Sequence, residues 1–402
     1  MVALAQFALA DWVENQSAHA SHVLAGSATP ALTINDLISL SSDADATKNA
    51  LSFEKVQLSL GDVTGSQALR SSIAGLYSGE GHKIAPENVI TATGTTGANL
   101  IVLYSLLRPD DHVICAYPIY NQLLNLPQAQ GCEVSLWRLK QDNDWSLDLK
   151  ELESLIRPNT KLLIVNNPNN PTASHLDKSK QLAILDIAER HNLIVVVDEI
   201  FRPLFHDKAS LQSPPPSFVK HNYGKVVVTG SMSKAWGLTG TRLGWIVSRD
   251  QSLLDNFINT KFYTSESTST IDELIVTEAL SDRCRPTILK RHLSYAQANL
   301  SSLDKFMAKN KDLCKWTRPT AAATAFIQFL SGSGEPVDDV EFCRSLLQAT
   351  GVLLSPGSLF TDPSKQDRGF RGFVRVHFTV PPANMTKSLE LIDDFLQQSR
   401  RS

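Results

Sequence analysis

Short apolar, β-branched runs recur between residues 89 and 229. They are Val89-Ile90-Thr91-Ala92-Thr93, His112-Val113-Ile114-Cys115-Ala116, Lys161-Leu162-Leu163-Ile164-Val165, Leu193-Ile194-Val195-Val196-Val197-Asp198 and Lys225-Val226-Val227-Val228-Thr229. Between them lie stretches with apolar residues at helical spacing, Gly97 to Leu107 and Lys178 to His191. Strand and helix in alternation predict an α/β fold with a largely parallel sheet, covered by helices on both faces. Ligands of such sheets collect beyond the strand ends.

The pattern changes near residue 285. A long polar stretch with helical spacing runs through Arg291 to Lys309. Candidate strands follow at Ala325-Phe326-Ile327-Gln328-Phe329-Leu330 and Phe373-Val374-Arg375-Val376-His377-Phe378. This predicts a large domain over 53–285 and a smaller α+β domain over 286–402. Ser213-Pro214-Pro215-Pro216-Ser217 reads as a surface connector between two strands.

At 402 residues the chain can build two or three domains around a large core. Hydrophobic residues at 42% and charged residues at 20% describe a globular protein, not a disordered one. A net charge of −3 gives no global attraction to nucleic acid or anionic membrane, and neither is expected as a partner. Five scattered cysteines with no C-x-x-C spacing suggest neither a metal site nor a redox pair, and they fit a reducing compartment. The N-terminus lacks the basic start of a signal peptide, and no apolar stretch approaches the roughly 20 residues that span a bilayer. A cytoplasmic enzyme is expected.

The most informative stretch is Gly230-Ser231-Met232-Ser233-Lys234-Ala235-Trp236-Gly237-Leu238-Thr239-Gly240-Thr241-Arg242-Leu243-Gly244-Trp245, directly after a β-rich run. It sets one amine among hydroxyls, glycines and a fixed cation. The Lys234 amine could form a Schiff base with an aldehyde, while Arg242 offers phosphate a planar, permanently charged fork. Gly94-Thr95-Thr96-Gly97-Ala98 follows a strand and opens a helix, so its N–H groups and the Thr95 and Thr96 hydroxyls could cradle a phosphate. Asp198 ends an apolar strand, and Arg375 sits between apolar neighbours on another. Each therefore needs a partner of opposite charge.

The lysine run resembles the signature of the class I/II aminotransferases, fold-type I pyridoxal-phosphate enzymes. Five further stretches match in the family's order: Gly94 to Ala98, Tyr117-Pro118-Ile119-Tyr120, Asn167-Pro168-Asn169-Asn170-Pro171-Thr172, Asp198-Glu199 and Phe373-Val374-Arg375-Val376. The resemblance covers roughly residues 55–380 and implies pyridoxal 5'-phosphate as cofactor. It gives Lys234 covalent attachment and proton transfer, and Asp198 the pyridine nitrogen. Thr95, Thr96, Ser231, Ser233 and Arg242 would hold the phosphate, Tyr120 would stack on the ring, and Asn170 would bond the phenolic oxygen. Arg375, with Asn170 beside it, would take the substrate α-carboxylate. The resemblance further implies that residues 1–52 pack with the small domain, and that a homodimer shares its active sites.

The chain departs from the family pattern at several positions. Phe201 stands where a tyrosine usually donates to the phenolic oxygen. Leu60 stands where a second tyrosine usually reaches the phosphate of the neighbouring subunit. Ala173 replaces a common glycine. Glu266 lies where relatives extend a loop into the partner's site, and an acid there would suit a cationic substrate. The expected function is transfer of an amino group from an α-amino acid to a 2-oxo acid. A lyase or cyclase of specialised metabolism, acting on an arginine-like amino acid, is the alternative, and a catalytically silent cofactor-binding protein a lesser one.

Overall fold

The computed structural model describes residues 3–79, 83–362 and 370–399. Among these residues thirteen strands occur, in the order β1 (His22–Val23), β2 (Val89–Thr93), β3 (His112–Tyr117), β4 (Glu133–Arg138), β5 (Thr160–Asn166), β6 (Ile194–Asp198), β7 (Val226–Ser231), β8 (Leu243–Ser248), β9 (Cys314–Trp316), β10 (Thr324–Phe329), β11 (Val352–Leu353), β12 (Ser355–Pro356) and β13 (Phe373–His377). Seven build the main sheet, in the order β2-β8-β7-β6-β5-β3-β4. All neighbours pair in parallel except β8, which runs antiparallel to both β2 and β7. The connection 232–242 that feeds β8 holds no crossover helix, and without one a strand returns antiparallel.

The central strands β3, β5, β6 and β7 are buried almost throughout, which is why they read as continuous apolar runs. Helices Gly94–Leu106 and Lys178–Arg190 occupy the expected intervals. The first starts three residues earlier than its apolar spacing indicates, so Gly94, Thr95 and Thr96 form its first turn.

A second, antiparallel sheet, β12-β13-β10-β9, packs around its own apolar core. The 25-residue helix Arg285–Lys309 serves both cores: Ile288 enters the large one, while Ala296, Leu300 and Leu303 enter the small one. The N-terminal segment also divides. β1 pairs with β11 and Leu24 joins the small core, but Leu37 and Leu51 pack into the large one. The 213–217 stretch is more than a surface connector. Arg202 Nη1 donates to the Pro215 and Pro216 carbonyls at 2.9 and 3.3 Å, and Pro215 and Ser217 are buried.

The main sheet grips the Gly94 helix closely. A Cβ on Gly244 would lie 2.3 Å from the Gly94 carbonyl carbon and 2.7 Å from the Thr95 nitrogen, both backbone atoms that cannot swing aside. Gly244→Ala must therefore push the first helical turn off the sheet, at a cost of about 1–3 kcal/mol. A lower thermal midpoint together with weaker cofactor binding is expected. An unchanged value of either would show that this close approach does not set the turn.

Candidate active site

The parallel strands of the main sheet end on one side of the molecule, where the last residues of β5 and β6, Asn166 and Asp198, open on a cavity of about 310 Å³. Among the predicted residues, Thr95, Thr96, Tyr120, Asn170, Asp198, Phe201, Ser233, Lys234, Arg242 and Arg375 line it. Ser231 and Glu266 do not. Ser231 is buried behind the wall, where its Oγ accepts the Ser233 N–H at 3.2 Å. Glu266 is exposed beyond the helix Gln251–Phe262, with its own N–H on the Lys261 carbonyl.

Lys234 reaches the cavity from the turn after β7. The Thr29 N–H and hydroxyl both donate to its carbonyl, at 3.2 and 2.8 Å, which anchors the backbone. Its amine makes no hydrogen bond among the described residues. Burial lowers the amine's pKa to about 8, helped by the positive charges of Arg375 and Arg242 and opposed by Asp198. Near neutral pH a useful fraction is thus the free base.

Asp198, at the end of β6, is 3% exposed. Burial raises its carboxyl to about 6, against hydrogen bonds from the Ile200 N–H at 3.0 Å and Asn99 Nδ2 at 3.2 Å. Asn99 is fixed in turn by the Thr229 hydroxyl on its Oδ1 at 2.7 Å. Asn166 ties the next strand in, donating to the Asp198 carbonyl at 2.9 Å and accepting the Asn170 N–H at 2.7 Å.

The turn from β2 into the Gly94 helix has φ +67° at Gly94, and the Arg242 guanidinium lies across it. Thr95 Oγ1 is buried with no hydrogen-bond partner among the described residues, an expensive state for a hydroxyl unless a ligand completes it. Tyr120 stands at the edge of the cavity with its ring 5.3 Å from that of Phe7. Burial, and next the Asp198 charge, raise its phenol.

Arg375 is 3% exposed on β13. Its Nη1 donates to Asn170 Oδ1 at 3.0 Å and its Nη2 to the Ala25 carbonyl, and its plane lies over the Phe360 ring at 4.7 Å. Nε has no partner. Among the described residues no carboxylate pairs with it. Burial lowers its pKa to about 9, which leaves it charged at neutral pH.

Sequence reasoning missed the apolar wall made by Phe7, Leu9, Ala10 and Val13 from the helix Ala8–Ser17 and its leading residue, and nothing in that segment signals a site. Asn99 and Asn166 were also missed, although a lone amide on the otherwise apolar stretch Ala98 to Leu103 was a usable signal. No helix among the described residues is long and apolar enough to cross a membrane. No group of three or more His, Cys, Asp or Glu among them could hold a metal ion.

Residues 32–392 match the family model for aminotransferase class I and II. The chain is 32% identical to a PLP-dependent aminotransferase from Streptococcus suis whose crystal structure superposes with a TM-score of 0.87, over 98% of both chains. It is 26% identical to capreomycidine synthase from Streptomyces vinaceus over 96% of this chain and 93% of that one. With mouse tyrosine aminotransferase it shares 28% over 82% and 71%. The chain belongs to the class I and II aminotransferases, a family of pyridoxal-phosphate-dependent enzymes.

Proposed function

We propose that the cavity binds pyridoxal 5'-phosphate on Lys234 and transfers the amino group of an α-amino acid to a 2-oxo acid. The donors present fit the cofactor: an uncommitted amine, a buried carboxylate within the same walls, and an orphaned hydroxyl at a helix N-terminus beside a guanidinium. Bound there, the cofactor supplies an aldehyde for the amine and an electron-accepting ring for charge that develops at the substrate Cα.

Thr95, Thr96, Ser233 and Arg242 would hold the phosphate, with Ser231 fixing the Ser233 N–H. Asp198, oriented by Asn99, would face the pyridine nitrogen, and its raised pKa would fall once that cation arrives. Tyr120 and Phe201 would flank the ring, and Asn170 would lie between cofactor and substrate. Lys234 would move the proton at Cα, for which an amine with a pKa near 8 is well matched. The observation that carries the reading is the buried guanidinium of Arg375, which has no anion among the described residues and opens on the same cavity as Lys234. An α-carboxylate completes it.

The test is to incubate the holoenzyme with each common amino acid, alone and with pyruvate or 2-oxoglutarate, and to identify products by mass spectrometry. Amino transfer to either acceptor is expected. Elimination or ring closure without an acceptor would favour the second reading, a lyase or cyclase, which the likeness to capreomycidine synthase supports. No reaction at all would favour a silent binding protein.

We also infer a homodimer. Leu58, Leu60, Phe262 and Tyr263 are exposed on the single chain, with Leu60 at 70% and Tyr263 at 85%. Gly61 lies against the Thr268 carbonyl, so the two exposed pairs occur on adjoining segments. Such apolar surface normally meets a partner. Light scattering should give twice the chain mass, and an active monomer would overturn the inference.

A further inference from the structure

The walls of the cavity divide by chemistry. Every charged side chain that lines it already has work in the proposed reaction: Lys234, Asp198 and Arg242 with the cofactor, Arg375 with the α-carboxylate. Asn99 and Asn166 hold Asp198 and Asn170, and what remains for the substrate's own side chain is Phe7, Leu9, Ala10 and Val13 on one segment, the run Ala25-Gly26-Ser27, Ile200 and Thr239. Ser27 and Thr239 contribute the polar side chains among these, and the Thr239 hydroxyl already donates to the Ser233 carbonyl at 3.0 Å.

This wall is held in place. Trp12 Nε1 donates to the Leu354 carbonyl at 2.8 Å, anchoring the helix Ala8–Ser17 against the small sheet. Ser355 Oγ donates to the Ala25 carbonyl at 2.9 Å, and Arg375 Nη2 donates to the same oxygen. The guanidinium that would take the carboxylate is thus bonded directly to the apolar strip. A substrate gripped at Arg375, with its Cα turned to Lys234, has that strip beside it.

We infer that the substrate side chain is neutral and largely apolar, and that Phe7 and Val13 are specificity-determining residues. The inference rests on the proposed function and deepens it. A second carboxylate or a terminal ammonium brought against this wall would lose its hydration without gaining a counter-charge. An alkyl or aryl group gains from the same burial.

Three carboxylates of similar length test this by calorimetry on the borohydride-reduced holoenzyme, whose lysine–cofactor bond no longer exchanges with amines: hexanoate, glutarate and 5-aminopentanoate. Hexanoate should bind at least tenfold more tightly than either of the others. Phe7→Ala should weaken hexanoate several-fold with little change for glutarate. Val13→Arg should reverse the order in favour of glutarate.

Equal or tighter binding of glutarate or 5-aminopentanoate to the unaltered enzyme overturns the inference. If a preference for 5-aminopentanoate disappears in Glu266→Gln, the partner subunit's loop sets the specificity instead of this wall. An unchanged order in both Phe7→Ala and Val13→Arg removes those residues from the role. Failure of all three carboxylates to bind, or binding unaffected by Arg375→Ala, would instead break the underlying carboxylate assignment.

Discussion

Lys234→Ala should bind pyridoxal phosphate only reversibly and turn over at least about 10²–10⁴-fold more slowly, the usual contribution of a positioned proton-transfer group. The phosphate cradle does not include the lysine side chain, so cofactor should still enter. After borohydride treatment of the natural protein, peptide mapping should place the added mass on the peptide with Lys234. The same amine predicts a pH dependence. Its pKa is lowered to about 8, so the rate at which the cofactor-free protein captures the aldehyde should climb with pH, about tenfold per unit well below 8. Above 8 it should level off. A climb that continues to about pH 10, as for an ordinary lysine, would mean that the Arg375 and Arg242 charges and burial do not act on this group. Mass on a different lysine would sink the site itself.

Much of this site was legible because its chemistry leaves marks on the chain. Asp198 closes an apolar strand, and Lys234 lies in a turn rich in hydroxyls and glycine. Such residues are too costly to be incidental, and the structure brings them to one cavity. The strands that were legible, β2, β3, β5, β6, β7, β10 and β13, are short apolar runs buried along almost their whole length. β4, β8, β9 and the two-residue strands β1, β11 and β12 were not. Leu243-Gly244-Trp245-Ile246-Val247-Ser248 begins inside the lysine motif, and its direction depends on the short return from β7.

The N-terminal wall was illegible for a different reason. Phe7, Leu9 and Val13 carry no chemistry of their own. They become part of a site only because β1 pairs with β11, more than three hundred residues away, and Trp12 bonds the Leu354 carbonyl. No local pattern can announce such a contact. The split of residues 1–52 between two cores has the same origin: Leu24 follows the β1–β11 pairing into the small core, and Leu37 and Leu51 pack where their helices land.

Arg375→Ala should weaken substrate binding by roughly 2–5 kcal/mol, the range for truncating one member of a buried, hydrogen-bonded charge pair. That corresponds to a loss of roughly 30- to 4,000-fold in affinity. Cofactor affinity should stay within a few-fold of the natural protein, because Thr95, Thr96, Ser233 and Arg242 lie at the other end of the cavity's chemistry. Arg375→Lys should recover only part of the loss. An ammonium keeps the charge, but it cannot donate to Asn170 Oδ1 and the Ala25 carbonyl while presenting a two-pronged face to a carboxylate. In most buried charge pairs the truncation also strands the opposite charge, so binding and folding suffer together. Here no carboxylate among the described residues pairs with Arg375 to be stranded. The loss should therefore appear in substrate titrations far more than in thermal unfolding of the substrate-free protein. A large fall in the unfolding midpoint with unchanged substrate affinity would make Arg375 a structural cation, held by Asn170, Ala25 and the Phe360 ring, and would leave the α-carboxylate without its partner.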